Sequence, residues 1–472
     1  MADGTEPAPQ ASPFKDWRRR VLTGPLFAWY KRVLPPMSDT EREALEAGTV
    51  WWDAELFSGA PDWSKLHAAP KAELNAEEQA FVDGPTDDLC AMLDDWRINF
   101  EWRDLPPEVW DFIKEHRFFG MIIPKEHGGL GFSALAHSQV VSKIATRSIT
   151  AAVTVMVPNS LGPAELLLHY GTDEQRRHYL PRLAKGEDIP CFALTGPYAG
   201  SDAASLPDIG IVCKGTYNGK ETLGLRGNWE KRYITLGPVA TVMGLALQTH
   251  DPDHLLGDVD DLGITVALVP TDTPGVEIGR RHYPVHQAFL NGPNKGKDVF
   301  IPFDWVIGGQ DNVGKGWRML MDSLAAGRGI SLPSLSAGGA KFCARTTGAY
   351  GRVRKQFKVP VGKFEGVQEA LARIGGRAYM AESMRRLTAI AVDMGEKPSV
   401  LSAIAKLHGT DMLRATINDA MDVHGGKGIC DGPSNYLANV YHAMPVSITV
   451  EGANILTRSL IVFGQGAIRC HP

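Results

Sequence analysis

The spacing of hydrophobic positions changes twice along the 472-residue chain. From 75 to 190 apolar residues recur every three to four positions, which predicts helices, and from 191 to 311 they alternate with polar residues, which predicts strands. From 312 to 472 the helical spacing returns in longer runs. The chain therefore predicts a multidomain α+β fold, in which an irregular N-terminal arm (1–74) precedes a helical domain, a β domain and a C-terminal helical bundle.

The strands of the middle stretch follow one another with no room for crossover helices. This arrangement predicts a small antiparallel barrel or sandwich rather than a parallel nucleotide-binding sheet. Asn218-Gly219, between two alternating runs, predicts a hairpin turn.

Local signals predict several helix ends. Asn75 and Glu78 have the spacing of a capping box at the start of the first helix, and Gly120 and Gly186 are placed to end later helices. In the C-terminal bundle, breaks at Gly and Pro predict separate helices at 316–329, 332–357, 366–395 and 399–426.

Composition narrows the class of protein. The net charge of −5 gives no reason to expect a nucleic-acid partner. The six cysteines show no C-x-x-C spacing and predict reduced thiols in a cytoplasmic protein. The histidines are scattered, so we expect no catalytic metal. No apolar run is expected to span a membrane, because the most apolar stretch is stopped by Pro158.

Residues 15–32, "KDWRRRVLTGPLFAWYKR", mix basic and aromatic side chains. Such a segment can lie on an anionic bilayer, which would make the protein peripheral at the inner membrane. It can equally be a basic arm that packs on its own protein or on a partner subunit. The sequence leaves both interpretations open.

One acid, Glu451, interrupts a strongly apolar stretch near the C-terminus, "SITVEGANILTRSL", and no cation lies within three residues of it. Acids are common at helix starts, where they face the helix dipole. The alternative is a general base, because burial raises the pKa of a carboxyl group and strengthens it as a base. Gly452 would allow the chain to turn sharply beside it.

Five segments, in order, resemble motifs of the acyl-CoA dehydrogenase family. They are "CFALTGPYAGSD" (191–202), "KRYITLG" (231–237), "RVRKQFKVPVGKFEGVQ" (352–368), "MDVHGGKGI" (421–429) and "VEGANILTR" (450–458). The finer resemblance is to the long-chain branch of proteobacterial fatty-acid β-oxidation. Members of that branch continue beyond the position of Pro472, and the sequence leaves open whether the chain is a natural short form or a fragment.

The resemblance implies an FAD cofactor and assigns roles to residues. Glu451 matches the catalytic base, and the substrate side is matched by Ser201, Arg328 and Gly452. The residues that would bind FAD fall into three groups: Phe192, Leu194, Thr195, Tyr233 and Thr235; Ala453 and Ile455; and Arg354, Phe357, Gln368, Asp422, Gly425 and Gly426. The third group is expected to reach FAD partly across a subunit interface. The chain departs from the family pattern at Gly196 and Tyr198, at Tyr233, Asp422 and Ala453, and in the gap after Phe357, where Gly362-Lys363 stand.

By resemblance, the expected function is flavin-dependent α,β-dehydrogenation of medium-to-long fatty acyl-CoA in β-oxidation. The expected electron acceptor is an electron-transfer flavoprotein, and the expected assembly is a homodimer or a dimer of dimers. Two alternatives stay open. One is an acyl-CoA oxidase, and the other is a flavin-free member that binds acyl-CoA or a partner protein.

Overall fold

The computed structural model describes residues 13–34, 36–160 and 162–470, without the side chains of 15 and 324–326. The chain divides into two compact units, Met1–Ala44 and Leu45–Pro472. The first unit contains α1 (Pro13–Arg18), a π-helical turn (Arg19–Thr23) and α2 (Gly24–Val33), and α3 (Asp39–Glu46) crosses the boundary between the units.

The second unit begins with a series of helices that precede its sheet. Its helices are α4 (Asp53–Ser58), α5 (Trp63–His67), α6 (Ala76–Asp83), α7 (Pro85–Met92), α8 (Pro107–Glu115), α9 (Ala134–Ala145), α10 (Ile149–Met156), α11 (Pro163–Tyr170) and α12 (Asp173–Lys185). The predicted capping box of Asn75 and Glu78 is confirmed at the start of α6, and Gly186 ends α12 with a φ of 68°.

One prediction about this part was wrong. Gly120 does not end a helix: α8 stops at Glu115, and Gly120 lies in a later 3-10 turn, where a Cβ would sit 2.7 Å from the Cα of Ala184. A residue with a Cβ would clash there, so Gly120 allows the chain to pack closely against α12. By length and composition alone, Ile149–Tyr170 is apolar enough to cross a membrane, although α10 ends at Met156 and Pro158 lies in the 3-10 turn Val157–Asn159. Of its most apolar window 88% is buried inside the protein, as in the core helices of a folded domain.

The middle of the chain forms one seven-stranded, mostly antiparallel sheet. The strands are β1 (Pro190–Ala193), β2 (Ile209–Tyr217), β3 (Lys220–Thr235), β4 (Val242–His250), β5 (Asp261–Pro270), β6 (Val276–Ile278) and β7 (Asn291–Pro302). Their order is β1-β4-β2-β3-β7-β6, and β5 pairs with β4. The Asn218-Gly219 hairpin is confirmed, since Tyr217 pairs with Lys220 and both turn residues have positive φ.

The sheet differs from the expectation in one respect, because β4 pairs in parallel with both β1 and β2. The sequence shows which strands are consecutive, and consecutive strands here are antiparallel neighbours in β2–β3 and β4–β5. Parallel partners are separated along the chain by an intervening strand or hairpin, so local spacing carries no signal for them.

A buried ion pair joins three segments of the sheet domain. The Lys231 Nζ on β3 lies 2.6 Å from the Asp208 carboxylate, which precedes β2, and donates to the Leu194 carbonyl after β1 at 3.0 Å. The other Asp208 oxygen accepts from the Glu230 backbone N–H. Both side chains are buried. Burial lowers the pKa of the Lys231 ammonium, and Asp208 opposes that shift by favouring the charged form.

The C-terminal bundle is built on three long helices: α13 (Gly316–Val353), α14 (Glu365–Asp393) and α15 (Ser399–His424). The strands β8 (Lys355–Gln356) and β9 (Val359–Pro360) form a small hairpin between the first two. The shorter elements that follow are α16 (Gly426–Ile429), α17 (Ala438–Thr449), α18 (Asn454–Leu456), a π-helical segment (Thr457–Gln465) and α19 (Gly466–Arg469).

The predicted break between 329 and 332 was wrong, because α13 is one helix that contains Pro333. Proline costs an interior helix hydrogen bond and about 3 kcal/mol. The flanking residues Leu332 and Ser334 are fully buried, and α13 packs against α9, α14 and α15. Tertiary packing therefore overrides the local breaker.

We expect Asp208→Ala to lower the free energy of unfolding by about 3–5 kcal/mol, because it leaves the Lys231 ammonium buried without its counterion. Denaturant titration measures the change. The control is Glu174→Ala, which removes the exposed Arg177–Glu174 pair and should cost less than about 1 kcal/mol. Equal effects of the two substitutions would show that the buried pair does not hold the sheet together.

Candidate active site

Glu451 lies in the short connection between α17 and α18, in a left-handed backbone conformation. Its φ is 55°, and that of Gly452 is 90°. A Cβ at Gly452 would meet the Thr457 hydroxyl at 3.0 Å, and this hydroxyl donates to the Gly452 carbonyl. Positive φ at a residue other than glycine costs on the order of 1–3 kcal/mol, so contacts around the loop must hold Glu451 in place.

The Glu451 carboxylate is buried and unpaired. Neither oxygen has a hydrogen-bond partner among the residues that the structure describes. Burial raises the pKa of this carboxyl to about 7, and the nearby Arg328 and Lys406 cations lower it only in part. The group is therefore poised to take up and release a proton near neutral pH.

Arg328 approaches this loop from α13. Its Nε donates to the backbone carbonyl of Glu451 at 3.0 Å. Burial lowers the pKa of the Arg328 guanidinium, and Glu451 opposes that shift. The structure thus brings together two residues that the resemblance assigned to one site, and the hydrogen bond goes to the main chain, which leaves the carboxylate free.

Lys406, which the sequence analysis missed, fixes the loop from α15. Its buried ammonium donates to the Ile448 carbonyl (3.1 Å), the Gly452 carbonyl (2.7 Å) and the Asn454 side chain (2.6 Å). An ammonium has three donors, and all three are used. Burial lowers the pKa of Lys406 to about 8, against the opposing effect of Glu451. A signal existed in the sequence, because Lys406 is the only charged residue in the run "SVLSAIAKLHG".

The interpretation of Glu451 as a helix-start acid is not supported by the geometry. The cap of α18 is Ala453, and the helical backbone continues from Asn454 into the π-helical segment. Glu451 precedes the cap by two residues, outside the first turn where the dipole acts. Ala453 and Ile455, two of the predicted FAD residues, lie two and four positions after Glu451, and Ile455 is exposed.

The predicted flavin residues of the sheet domain come together at one place. The Arg232 backbone N–H donates to the Thr195 carbonyl at 2.9 Å, so the end of β1 lies against β3 near Tyr233. Tyr233 has a φ of 61° and is 65% exposed. The Asn291 amide donates to its carbonyl at 2.8 Å and contacts the Thr235 hydroxyl at 3.4 Å.

The remaining predicted residues of this domain flank the same strand end. Phe192 and Leu194 are half-buried, and Ser201 is exposed in the loop that follows. Gly196 departs from the family pattern, and the structure gives a physical reason for a glycine. A Cβ there would lie 3.0 Å from the Glu230 carbonyl oxygen.

A second group gathers at one end of the bundle. Tyr350, near the end of α13, stacks on His424, the last residue of α15, with ring centroids 4.2 Å apart. This contact brings the connection that carries Arg354 and Phe357 to the same end as Gly425. The predicted residues here are all exposed: Arg354, Phe357, Gln368, Asp422, Gly425 and Gly426.

At this end of the bundle, the backbone of Gly425 and Gly426 is accessible. Apart from the chain neighbours, no atom of the described residues lies within 4 Å of a Cβ built at Gly425 or Gly426, and Gly425 caps α15 with a φ of 55°. Tyr350 and His424 were missed by the sequence analysis. Among the described residues, no three His, Cys, Asp or Glu side chains gather as a metal site.

Comparison with known proteins agrees with this arrangement. The family model "Acyl-CoA dehydrogenase, N-terminal domain" matches residues 76–187, and the family model "Acyl-CoA dehydrogenase, C-terminal domain" matches residues 314–463. The probable acyl-CoA dehydrogenase YngJ of Bacillus subtilis is 30% identical over 330 residues, which are 69% of this chain and 81% of YngJ. The chain belongs to the acyl-CoA dehydrogenase family.

Two further similarities define how far the match extends. The probable acyl-CoA dehydrogenase FadE10 of Mycobacterium tuberculosis is 28% identical over 422 residues, which cover 88% of this chain and 62% of FadE10. The solved structure of butyryl-CoA dehydrogenase from Megasphaera elsdenii superimposes with a TM-score of 0.73 at 22% identity, over 83% of this chain and 98% of that one. The acyl-CoA dehydrogenase fold expected from the sequence is therefore confirmed.

The buried state of Glu451 predicts a pH-dependent stability. Because burial raises the pKa of Glu451 from its ordinary value of 4.5 to about 7 in the folded protein, folding favours the protonated carboxyl, and stability is lost as the pH rises from 4.5 to about 7. We expect Glu451→Gln to remove this loss, so that its stability relative to the unmodified protein grows by about 2.5 kcal/mol between pH 5 and pH 8.

Urea titrations at several pH values measure the difference. The matched control is Glu174→Gln, which removes an exposed carboxylate by the same substitution. A stability difference for Glu451→Gln that does not change with pH would mean that this carboxyl titrates as an ordinary exposed acid.

Proposed function

We propose that the protein is an FAD-dependent acyl-CoA dehydrogenase in which Glu451 removes the α-proton of a fatty acyl thioester. The observation that carries the proposal is the buried carboxylate without a hydrogen-bond partner, held between two cations that bind its loop. A buried acid with no structural partner is costly, and such groups concentrate at reactive sites.

The residues present fit an FAD cofactor. The exposed Tyr233 ring offers a flat surface at the end of β1, and the exposed Phe357 ring offers another beside Arg354. A guanidinium suits a diphosphate because its planar fork binds two oxygens at once. The open main chain at Gly425 and Gly426 allows close approach of a ligand. When bound, FAD supplies the redox chemistry by accepting the hydride of the β-carbon.

The chain itself moves the proton and holds the thioester. With a pKa near 7, Glu451 is ionised in part at neutral pH and basic enough to abstract an activated α-proton. Its own backbone N–H makes no hydrogen bond to a described residue, so it is free to donate to the thioester oxygen as negative charge develops there. Losing a donor of this kind costs on the order of 3 kcal/mol of transition-state stabilisation.

The finer assignments are part of the proposal and rest on the resemblance of the motifs. We propose medium-to-long straight-chain acyl-CoA as the substrate, fatty-acid β-oxidation as the setting, the cytoplasm as the location and an electron-transfer flavoprotein as the acceptor. We also propose a homodimer or dimer of dimers, because Arg354 and Phe357 are exposed and match residues that reach FAD across a subunit interface.

We expect Glu451→Gln to keep the fold, the yellow colour and acyl-CoA binding while bleaching at least a hundredfold more slowly on addition of octanoyl- or palmitoyl-CoA. The reason is that a positioned base contributes on the order of 10²–10⁴ in rate. Anaerobic absorbance spectra measure the bleaching, and Glu174→Gln is the matched control. Bleaching of Glu451→Gln at the unmodified rate would place the base elsewhere.

The same spectra separate the proposal from its alternatives. Rapid reoxidation of the bleached protein in air would favour an acyl-CoA oxidase. A colourless protein that FAD does not reconstitute would favour a flavin-free member that binds acyl-CoA or a partner.

The bleaching rate should follow a bell-shaped pH profile. The acid limb, near pH 7, reports ionisation of Glu451, and the alkaline limb, near pH 8, reports loss of the third Lys406 donor on deprotonation. Lys406→Met should abolish the alkaline limb and shift the acid limb upward by on the order of one pH unit, because a cation that lowers the pKa of Glu451 is gone.

Stopped-flow measurements between pH 5.5 and pH 10, which brackets both values, test this profile. The control is Lys185→Met, which removes an exposed lysine on α12. If Lys406→Met leaves both limbs in place, then Lys406 has a structural role only.

A further inference from the structure

We propose that residues 13–34 form an interfacial helix that binds the surface of an anionic lipid bilayer. The sequence left this segment open between a membrane contact and a packed arm, and the proposal rests on a structural feature that the sequence did not show. It does not depend on the proposed catalytic function.

The feature is a π-helical turn that aligns two apolar series. Phe14, Trp17 and Val21 have the three-to-four spacing of one helix face, and so do Leu22, Leu26, Trp29 and Val33. In an uninterrupted α-helix the two series would lie about 100° apart, because Val21 and Leu22 are adjacent.

The π-helical turn at Arg19–Thr23 closes this gap. The Gly24 backbone N–H donates to the Arg19 carbonyl, five residues earlier, so the turn holds one residue more than an α-helical turn. One extra residue is the offset between the two series. They therefore merge into a single apolar stripe along the whole segment. Gly24 permits the turn, because a Cβ there would lie 2.6 Å from the Arg19 carbonyl oxygen.

The stripe is not covered within its own unit. Its seven members are between 51% and 66% exposed, and no residue of the π-helical turn or of α2 is buried. Phe27 lies off the stripe, where the Lys31 ammonium sits over its ring at 5.1 Å. Trp29 packs edge-on against Tyr30. Aromatic and aliphatic side chains with flanking cations are the composition of helices that lie in a bilayer interface.

Charge selects the kind of surface. Residues 13–34 contain six basic residues and one acid, a formal charge of +5, whereas the whole chain carries −5 and the rest of it therefore −10. Such an asymmetry attracts an anionic surface to this segment and repels it elsewhere. A nucleic acid would use the charge but leave the apolar stripe without a contact. An anionic bilayer satisfies both.

The test is co-sedimentation of the full chain with vesicles. We expect binding to vesicles of one part phosphatidylglycerol and three parts phosphatidylcholine in 50 mM NaCl, at least tenfold weaker binding to pure phosphatidylcholine, and loss of binding in 500 mM NaCl, because exposed charges are screened. Replacement of Arg18, Arg19 and Arg20 by Gln should weaken binding about a hundredfold, since each cation near the surface contributes about a factor of five.

Matched variants test the stripe itself. Leu26→Ser removes an apolar side chain on the stripe and Phe27→Ser removes one off it, so binding should fall at least fivefold more in the first. Gly24→Ala should weaken binding without any change in charge, because it disrupts the turn that aligns the two series.

Three results would overturn the proposal. The first is no binding to the anionic vesicles, and the second is equal effects of Leu26→Ser and Phe27→Ser. The third is a change of oligomeric state in Leu26→Ser with vesicle binding intact, measured by light scattering, which would assign the stripe to a second copy of the chain.

Discussion

The site depends on one electrostatic compromise, in which a carboxylate is kept from water and from hydrogen-bond donors while two cations lie close to it. Desolvation is the larger effect, so the pKa of Glu451 stays near 7. If the Arg328 guanidinium bound the carboxylate directly, the pKa of that carboxyl would fall and its strength as a base with it. The hydrogen bonds of Arg328 and Lys406 go to the loop instead.

The same contacts explain how a strained residue is held. The left-handed conformation of Glu451 is unfavourable for a residue with a side chain, and it persists only where the surroundings impose it. Lys406 binds carbonyls on both sides of Glu451, and Arg328 binds the carbonyl of Glu451 itself. The charges that tune the proton affinity of the acid therefore also orient it.

The sequence predicted the features that depend on near neighbours. The caps at Asn75 and Gly186, the hairpin at Asn218-Gly219 and the burial of the Glu451 carboxylate all follow from spacings of a few residues. The sequence-based prediction failed where contacts between distant segments decide the local structure. Pro333 stays inside α13, a helix against which three other helices pack.

The residues of the candidate site divide in the same way into those that the sequence predicted and those that it missed. Motif resemblance pointed to Glu451 and Arg328, and their contact is observed. Lys406 carries no motif, and only the fold shows that its ammonium reaches the loop of Glu451. A lone cation in an apolar helical run is a usable signal for such a residue, because burying an ammonium is unfavourable unless acceptors meet it.

A comparison of the two buried lysines shows what the active-site arrangement adds. Lys231 is paired with a carboxylate that is itself hydrogen-bonded, so charge and partner are matched within the fold. Lys406 binds only neutral oxygens, and its nearby acid Glu451 has no hydrogen bond. In the proposed reaction, Glu451 becomes neutral as negative charge appears on the thioester oxygen beside its backbone N–H. The two cations then face one negative charge before and after proton transfer. Charge is moved within a fixed field, so the site needs little reorganisation to stabilise the transition state.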